Sequence, residues 1–250
     1  MAKYSELKDK KVMVTGAASG IGLATAQRFA AEGAKVFILD CNKEAISKVM
    51  AENPQFAGSC ICDVSSEDDV IAAFEKMDRE LGGIDVLISN AGISIRKDFV
   101  DISYEQWQKV IDINLNGMFL CSREAARRMK AQKSGVILMT ASSNGTEGHR
   151  WYTDYNASKA GVILLTKSMA LELAPDVRVN CVCPGYVLTP MQRAEYTDEM
   201  LAKVNEGIPM KRHAEPGEIG ALYAFLASDD AKYITGADIR IDGGETAGLY

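Results

Sequence analysis

Tyr155 and Lys159 are the two side chains of this chain that are best placed for proton transfer. They lie four residues apart, so on a helix they share one face. A free tyrosine has a pKa of about 10 and is a poor base, but a neighbouring positive charge favours the phenolate. A downward shift of about two or three units brings the group near working pH, where acid–base catalysis is most effective. The pair therefore indicates a proton-transfer site.

Ser142 makes this interpretation more specific. It closes an apolar run that is typical of a buried strand, and it precedes Tyr155 by thirteen residues. By itself, a tyrosine four residues before a lysine is more typical of a surface helix pair. The serine at a strand end favours a catalytic cluster, with Ser143 as the lesser candidate for the same position.

A glycine-rich segment between an apolar run and a helical pattern is the second candidate site. Thr15 to Gly22 reads TGAASGIG, with glycines at 16, 20 and 22. Glycines let the backbone turn tightly and approach a pyrophosphate, which the free N–H groups of the following helix then bind. A plain glycine turn is the alternative, but the strand-to-helix context favours a dinucleotide site.

Asp40 ends the second apolar run, twenty-four residues after Gly16. A carboxylate there accepts hydrogen bonds from the ribose hydroxyls of the adenosine and repels a 2′-phosphate. Lys43 is the only nearby base, and no Arg or Lys lies between Gly16 and Gly22. These residues predict NAD as the cofactor rather than NADP. The alternative is that Asp40 caps the helix that follows.

Short apolar runs and longer amphipathic stretches alternate along the chain. Val12 to Val14 and Val36 to Leu39 are nearly continuous in apolar character, as strands buried on both faces of a parallel sheet are. The alternation predicts an α/β fold of βαβ units, a doubly wound sheet with helices on both faces. We expect seven strands, near 11–15, 35–40, 57–62, 84–89, 135–140, 177–183 and 237–241, and six helices, near 21–32, 43–52, 67–81, 104–130, 154–174 and 216–228.

Nothing in the sequence divides the chain into separate units. It has no internal repeat, no low-complexity segment and no linker rich in Pro, Gly and Ser. We therefore expect one domain over 1–250 that combines dinucleotide binding with catalysis. The longest stretch without strong periodicity runs from Pro184 to Pro216. In compact domains, such segments are more often functional lids than loops without a function. We therefore expect a substrate lid at about 186–215.

Composition narrows the classes of partner. The 250 residues carry a net charge of −6, which argues against nucleic acid because phosphate binding needs a basic face. No apolar stretch approaches the ~20 residues of a membrane span, and the start of the chain does not resemble a signal peptide. Six cysteines without a CxxC pair indicate core thiols in a reducing cytoplasm. With two histidines in the chain, we expect no metal site.

The order of the motifs resembles the short-chain dehydrogenase/reductase family along essentially the whole chain. The resemblance implies a Rossmann sheet of seven strands in the order 3-2-1-4-5-6-7. It also implies Asp63 and Val64 at the adenine, Asn90 to Gly92 under the cofactor, and Val187 and Thr189 near the nicotinamide. The expected cofactor-binding residues are Gly16, Ser19, Gly20, Ile21, Gly22, Asp40, Asp63, Val64, Asn90, Ala91, Gly92, Tyr155, Lys159, Pro184, Gly185, Val187 and Thr189.

The same resemblance implies the catalytic roles. Tyr155 removes the hydroxyl proton in oxidation and returns it in reduction, and Lys159 lowers the pKa of Tyr155 and holds the nicotinamide ribose. Ser142 orients the substrate oxygen. Asn114 holds a water that relays protons outward, although by sequence alone it is a polar residue within a helix. Family members usually form homotetramers through helices that correspond to 104–130 and 154–174 and through the last strand.

These observations predict an NAD-dependent dehydrogenase that acts on the secondary alcohol of a small polar substrate, such as a polyol, sugar, hydroxy acid or hydroxy sulfonate. The first alternative is a 3-oxoacyl carrier-protein reductase. Such reductases normally prefer NADPH, whereas Asp40 favours NAD. The second alternative is a non-catalytic nucleotide-sensing protein, but this chain has the expected residue type at all four catalytic positions. A sugar-nucleotide epimerase would need a longer C-terminal substrate domain.

Basic residues on three loops suggest that the substrate is an anion. The loops follow Asn90 to Gly92, precede Tyr155 and follow Pro184-Gly185, and arginine is well shaped for an oxyanion. The alternative is that these side chains are solvated or contact other subunits. The candidate substrate residues are Arg96, His149, Arg150 and Arg193, with Trp151, Tyr152 and Tyr186 as possible walls of the pocket.

Overall fold

Seven parallel strands form one sheet in the order β3-β2-β1-β4-β5-β6-β7 in the computed structural model, which describes residues 3–248. This order and the position of every strand confirm the sequence-based expectation, with ends that differ by at most two residues. The strands are β1 (Lys11–Thr15), β2 (Lys35–Asp40), β3 (Gly58–Ile61), β4 (Val86–Ser89), β5 (Gly135–Thr140), β6 (Val177–Pro184) and β7 (Asp238–Ile241).

Helices cover both faces of the sheet, and none of those within residues 3–248 is long and apolar enough to cross a membrane. The helix expected over 104–130 is interrupted by a π-helical segment, Asp112–Asn116. Two short helices besides the six that we expected lie within 186–215, and the second covers the helix-like stretch from Asp198 to Val204. The helices are α1 (Gly20–Ala31), α2 (Lys43–Glu52), α3 (Glu67–Leu81), α4 (Tyr104–Ile111), α5 (Gly117–Gln132), α6 (Thr153–Leu173), α7 (Pro190–Glu195), α8 (Asp198–Gly207) and α9 (Pro216–Ala227).

The sheet separates two apolar cores because successive strand residues point to opposite faces. In β1, Met13 packs on the side of α3, α5 and α6, whereas Val12 and Val14 pack on the side of α1 and α9. Phe29 and Tyr223 are fully buried in the second core. Both faces of the central strands are therefore apolar, which explains their nearly continuous apolar sequence.

The strand order reverses between β1 and β4, and buried polar groups join the two strand ends there. The hydroxyl of Thr15 accepts hydrogen bonds from the backbone N–H groups of Asn90 (2.8 Å) and Ala91 (2.9 Å). The side chain of Asn90 donates to the Thr15 carbonyl at 3.1 Å and accepts from Thr140 at 3.0 Å. In open α/β sheets, ligands bind in the crevice at such a reversal.

Candidate active site

The glycine-rich turn between β1 and α1 is packed so closely that side chains would not fit. A Cβ on Gly16, whose φ is +62°, would lie 2.8 Å from Ala91 Cα. A Cβ on Gly22 would lie 2.2 Å from the Gly16 carbonyl oxygen. The N-terminus of α1 therefore opens directly onto the crevice with its N–H groups, as binding of a pyrophosphate requires.

A cleft of about 580 Å³ runs along this crevice, which lies within the usual size range of ligand sites. Most of the expected cofactor residues line it. Gly22 packs beneath the turn, while Pro184, Gly185 and Val187 are not part of its lining, and Val187 forms a buried bridge to Ala214 instead. The expected residues that line the cleft are Gly16, Ser19, Gly20, Ile21, Asp40, Asp63, Val64, Asn90, Ala91, Gly92, Tyr155, Lys159 and Thr189.

The sequence did not identify other residues that line the cleft, because they belong to no recognisable motif. They come from strand ends, from α4 and the π-helical segment, and from the start of α7. These additional residues are Cys41, Cys62, Ile93, Lys109, Ile113, Thr140, Pro190 and Met191.

Asp40 braces the glycine-rich turn and does not cap α2. One carboxylate oxygen accepts from the Ala18 N–H at 3.0 Å, and the other accepts from the Asn42 N–H at 3.0 Å. The N-cap of α2 is Asn42, whose side chain accepts from the Ala45 N–H. The alternative role of Asp40 as a helix cap is therefore wrong, and its carboxylate lies at the end of the cleft lined by Cys41 and Asp63.

Tyr155 and Lys159 lie on α6, beside the end of β5. Lys159 is almost fully buried, donates a 2.8 Å hydrogen bond to the Thr140 carbonyl and lies 5.4 Å from the centre of the Tyr155 ring. Ser142 lines the same cavity as Tyr155 and lowers the pKa of its hydroxyl. Ser142, rather than Ser143, is therefore the serine that acts on the tyrosine.

The protonation of this pair is governed by burial. Burial lowers the pKa of Lys159 to about 8. Burial also raises the pKa of Tyr155, to about 12. The Glu195 carboxylate raises it further, and Ser142 lowers it. The protein's own groups thus hold Tyr155 as a neutral phenol, whereas the sequence led us to expect a lowered pKa. The reason is that desolvation is the largest influence on this hydroxyl, and it disfavours the charged phenolate.

Asn114 lies fully buried in the π-helical segment and holds the loop that follows β4. Its side-chain oxygen accepts from the Ile93 N–H at 2.8 Å, and its amide nitrogen donates to the Ile93 carbonyl at 2.8 Å and to Ser158 at 3.2 Å. A Cβ on Gly92 would lie 3.2 Å from the Asn114 side-chain oxygen. Asn114 therefore sets the position of the loop backbone between the cofactor cleft and α6.

A second, smaller cavity of about 90 Å³ adjoins Ser142 and Tyr155. Its volume equals that of a few water molecules at about 30 Å³ each, which suits a small substrate. Tyr155, Thr189 and Met191 line both cavities and mark their junction. The smaller cavity is lined by Ser94, Ser142, Ser143, Asn144, His149, Tyr152, Tyr155, Gly185, Tyr186, Thr189, Met191, Gln192, Glu195 and Tyr196.

This lining differs from the cationic pocket that the sequence suggested. Arg96, Arg150, Trp151 and Arg193 are not part of it. The Arg96 guanidinium lies 4.3 Å from the Trp151 ring centre and 5.3 Å from that of Tyr196. Arg150 and Arg193 are exposed.

Of the expected substrate residues, His149, Tyr152 and Tyr186 do line the cavity. Burial lowers the pKa of His149, which favours its neutral form. The charged side chain of the lining is instead Glu195, the last residue of α7. No sequence motif marked Glu195, because it lies in the segment without strong periodicity.

Comparisons with known proteins agree with this geometry. A family model described as Enoyl-(Acyl carrier protein) reductase matches residues 16–246. The meso-2,3-butanediol dehydrogenase of Serratia marcescens is 41% identical over 241 residues, which cover 96% of this chain and 95% of that protein. The 3-oxoacyl-(acyl-carrier-protein) reductase FabG of Thermotoga maritima is 39% identical, with coverage of 95% of this chain and 98% of that protein.

A solved structure shows the same fold. The crystal structure of a short-chain type dehydrogenase/reductase from Mycobacterium marinum superimposes with a TM-score of 0.91 at 38% identity and covers 97% of each chain. Sequence and fold together place this chain in the short-chain dehydrogenase/reductase family, as an NAD(P)-dependent oxidoreductase that acts on CH–OH groups.

Proposed function

We propose that this enzyme interconverts the secondary alcohol and the ketone of a small polar substrate, with NAD(H) as cofactor. The observation that carries the proposal is the position of Tyr155. Its side chain lines both the long cleft and the small cavity, and Ser142 lines the same small cavity and lowers the pKa of Tyr155. A proton donor and acceptor at this junction meets the oxygen of a substrate in the cavity next to a cofactor in the cleft.

The proposed roles follow from these contacts. Tyr155 takes the hydroxyl proton in oxidation and gives it back in reduction, and Ser142 holds the substrate oxygen beside the phenol. Lys159, fixed by the Thr140 carbonyl, places its ammonium under the tyrosine and near the ribose end of the cleft. Asn114 keeps the Ile93 loop in position, and its role in holding a relay water remains a proposal.

The cleft fits a dinucleotide. Close packing at Gly16 and Gly22 leaves no room for side chains there, which supports binding of a pyrophosphate by the backbone N–H groups, and Asp40, Asp63 and Val64 line the part of the cleft that we assign to the adenosine. When bound, NAD(H) supplies the hydride acceptor or donor and, in its oxidised form, a positive charge that favours the phenolate. We propose NAD over NADP because the Asp40 carboxylate accepts from ribose hydroxyls and repels a 2′-phosphate.

A 3-oxoacyl carrier-protein reductase is the second candidate. The similarity to the Thermotoga maritima protein supports it, whereas Asp40 and the small volume of the cavity favour the first proposal. The two are distinguished by substrate: the reductase acts on an acyl thioester with NADPH, and the dehydrogenase acts on small alcohols with NAD.

The segment 186–215 is proposed to act as a substrate lid within a single domain. The parallel bridge between Val187 and Ala214 joins the two ends of this segment. Helices α7 and α8 therefore lie in a long loop that begins and ends at the same place in the fold. Glu195 and Tyr196, at the end of α7, cover the cavity.

We further propose a cytoplasmic homotetramer. The outer faces of α5 and α6 expose Phe119, Leu164 and Leu171, with 43%, 62% and 85% of their surfaces accessible. Pairing of these helices between subunits would bury that apolar surface. The six cysteines are all unpaired, as in a reducing compartment. Sedimentation equilibrium tests the oligomeric state.

The decisive experiment is an absorbance screen of NADH and NADPH formation and consumption. Secondary alcohols, diols, polyols, sugars, hydroxy acids, hydroxy sulfonates and an acetoacetyl thioester serve as substrates. The proposal predicts NAD-linked turnover of small secondary alcohols, and activity confined to the thioester with NADPH would favour the second candidate. The matched control is the Tyr155→Phe enzyme, which keeps the ring and loses the proton-transfer group.

A further inference from the structure

Glu195 brings three separate loops together at the small cavity. One carboxylate oxygen accepts a hydrogen bond from the Ser94 hydroxyl, which belongs to the loop after β4. The other accepts a 2.7 Å hydrogen bond from the Tyr152 hydroxyl, which lies just before α6. The side chain itself ends α7 in the proposed lid. The acidic group is therefore held in place from both sides, at the wall of the cavity in which Tyr155 also lies.

The carboxylate keeps acceptor capacity for a ligand. A carboxylate has about four lone-pair positions, and each oxygen receives one hydrogen bond from the neighbouring loops. Burial and its hydrogen bonds raise the pKa of Tyr152, so this phenol remains a donor to Glu195. The remaining lone pairs can accept from a substrate hydroxyl.

Among the described residues that line the cavity with Glu195, none is an arginine or a lysine. Apart from the tyrosines, His149 is the other ionisable side chain of the lining, and burial lowers its pKa. The guanidinium of Arg96 stacks on the Trp151 and Tyr196 rings and lies outside the lining. A half-buried carboxylate acts on a ligand in the cavity with little screening by water. It therefore repels a carboxylate or sulfonate and favours a neutral hydroxyl.

We infer that Glu195 determines substrate specificity by accepting a hydrogen bond from a second hydroxyl of a neutral diol or polyol and by excluding anionic hydroxy acids. This inference rests on the proposed function. It replaces the anionic substrate that the basic residues of the sequence suggested, because the cavity presents a carboxylate where a cation was expected.

Three probes with the same four-carbon chain test the inference: 2-butanol, 1,3-butanediol and 3-hydroxybutyrate. They share the reacting CH3–CHOH–CH2 end and differ at the last carbon, which is a methyl group, a hydroxymethyl group or a carboxylate. We expect the wild-type enzyme to have the highest kcat/KM for the diol and the lowest for the acid. In Glu195→Gln, the KM for the diol should rise about fivefold or more with little change in kcat, and the KM for the acid should fall by a similar factor.

Glu206→Gln is the matched control, because Glu206 is an exposed glutamate of α8 in the same segment. It removes the same charge and should leave all three KM values within about twofold. Calorimetric binding of the probes to the Tyr155→Phe enzyme saturated with NAD repeats the comparison without turnover. Thermal unfolding of Glu195→Gln checks that the variant is folded.

The possible failures are distinguishable. A wild-type enzyme that prefers 3-hydroxybutyrate to the diol overturns the inference even if Glu195→Gln does not fold. Equal KM changes for all three probes in Glu195→Gln, or the same changes in Glu206→Gln, overturn it as well. An enzyme that binds NADH but turns over no secondary alcohol or ketone refutes the proposed function itself.

Discussion

The ammonium of Lys159 lies 5.4 Å from the centre of the Tyr155 ring and is held there by a 2.8 Å hydrogen bond to the Thr140 carbonyl. The two residues are one helical turn apart on α6, and the bond ties the lysine to the end of β5. The lysine thus lies beside the ring, and its hydrogen bond goes to the strand and not to the phenol. The Ser142 side chain, by contrast, acts on the phenol and lowers the pKa of Tyr155. Several properties of the enzyme should depend on this arrangement.

Replacing Tyr155 with Phe should abolish most of the activity without affecting cofactor binding. The substitution keeps the ring between the two cavities and removes the only hydroxyl proposed to transfer the proton. We expect kcat to fall by a factor of about 10²–10⁴, with the dissociation constant for NADH within about threefold of the wild-type value. Steady-state kinetics and fluorescence titration with NADH measure the two effects. Near-normal turnover would rule out Tyr155 as the proton-transfer group.

Oxidation and reduction should have opposite pH dependences. The protein raises the pKa of Tyr155 to about 12, so the phenol keeps its proton through neutral pH. Oxidation needs the deprotonated form, and its kcat/KM should increase as the pH rises. Reduction needs the phenol and should slow over the same range.

The increase for oxidation should level off above about pH 8, because Lys159, whose pKa burial lowers to about 8, loses its ammonium there. Initial rates from about pH 6 to pH 10 in buffers of constant ionic strength measure both profiles. A decline in kcat/KM for oxidation from pH 6 to pH 8 would contradict the proposal.

Asp40 should set the choice of cofactor. We expect a higher kcat/KM with NAD than with NADP in the wild-type enzyme. Asp40→Ala removes the charge that repels the 2′-phosphate and should shift the ratio toward NADP by about tenfold, or ~1.4 kcal/mol. Because Asp40 also accepts from the Ala18 N–H, kcat/KM with NAD should fall too. Glu44→Ala, an exposed acid in the first turn of α2, controls for a general loss of negative charge. A wild-type preference for NADP would contradict the role of Asp40.

Glu245 should make the fold less stable as the pH rises toward neutrality. Burial and the charges of Asp242 and Glu147 raise its pKa from 4.5 to about 7. Within residues 3–248, its Oε2 atom is buried without a hydrogen-bond partner. The folded protein therefore keeps this proton to a higher pH than the unfolded chain does, so this contribution to stability is full below about pH 4.5 and is lost as the pH rises through about 7.

Glu245→Gln removes the titration and should raise the free energy of unfolding by on the order of 2 kcal/mol at pH 8, with a smaller effect at pH 5. Urea unfolding at the two pH values measures the difference, and Glu206→Gln, which changes an exposed glutamate, is the control. Equal effects of Glu245→Gln at both pH values would show that its carboxyl group does not carry the raised pKa.

Arg150 and Arg193 should contribute little to substrate binding. The sequence placed both on loops near the site, but the structure leaves them exposed and outside the lining of the cavity. We expect Arg150→Ala and Arg193→Ala to change the KM of anionic and neutral substrates alike, within about twofold. Parallel kinetics with 3-hydroxybutyrate and 1,3-butanediol test this. A selective increase for the acid in either variant would restore the anion-binding interpretation.

Much of the fold and of the catalytic cluster could be predicted because the signals are local. A strand buried on both faces is apolar at every position, as Val12 to Val14 and Val36 to Leu39 are, and this pattern alone located the sheet. Tyr155 and Lys159 share a helical face because of their spacing, and the glycine-rich turn is recognisable from its residue types. The family resemblance added the strand order, which periodicity does not contain.

Some local details could not be predicted because several residues competed for one role. Asp40 and Asn42 are both good helix caps, and only the backbone path at the end of β2 decided that Asn42 caps α2 while Asp40 turns toward Ala18. Likewise, the amphipathic pattern over 104–130 gives no sign of the π-helical segment, which places Asn114 against the Ile93 backbone.

The sequence by itself thus predicted a dinucleotide site on a parallel α/β sheet and a tyrosine–lysine pair on one helical face, which we propose for proton transfer. Only the tertiary structure decided what surrounds the substrate. Ser94, Tyr152 and Glu195 come from three distant segments, and their hydrogen bonds form the wall of the cavity. The reason is that loop paths have no periodicity, so residue types on a loop show which charges are near a site but not which of them face it. Here Arg150 and Arg193 are exposed, whereas Glu195 lines the cavity.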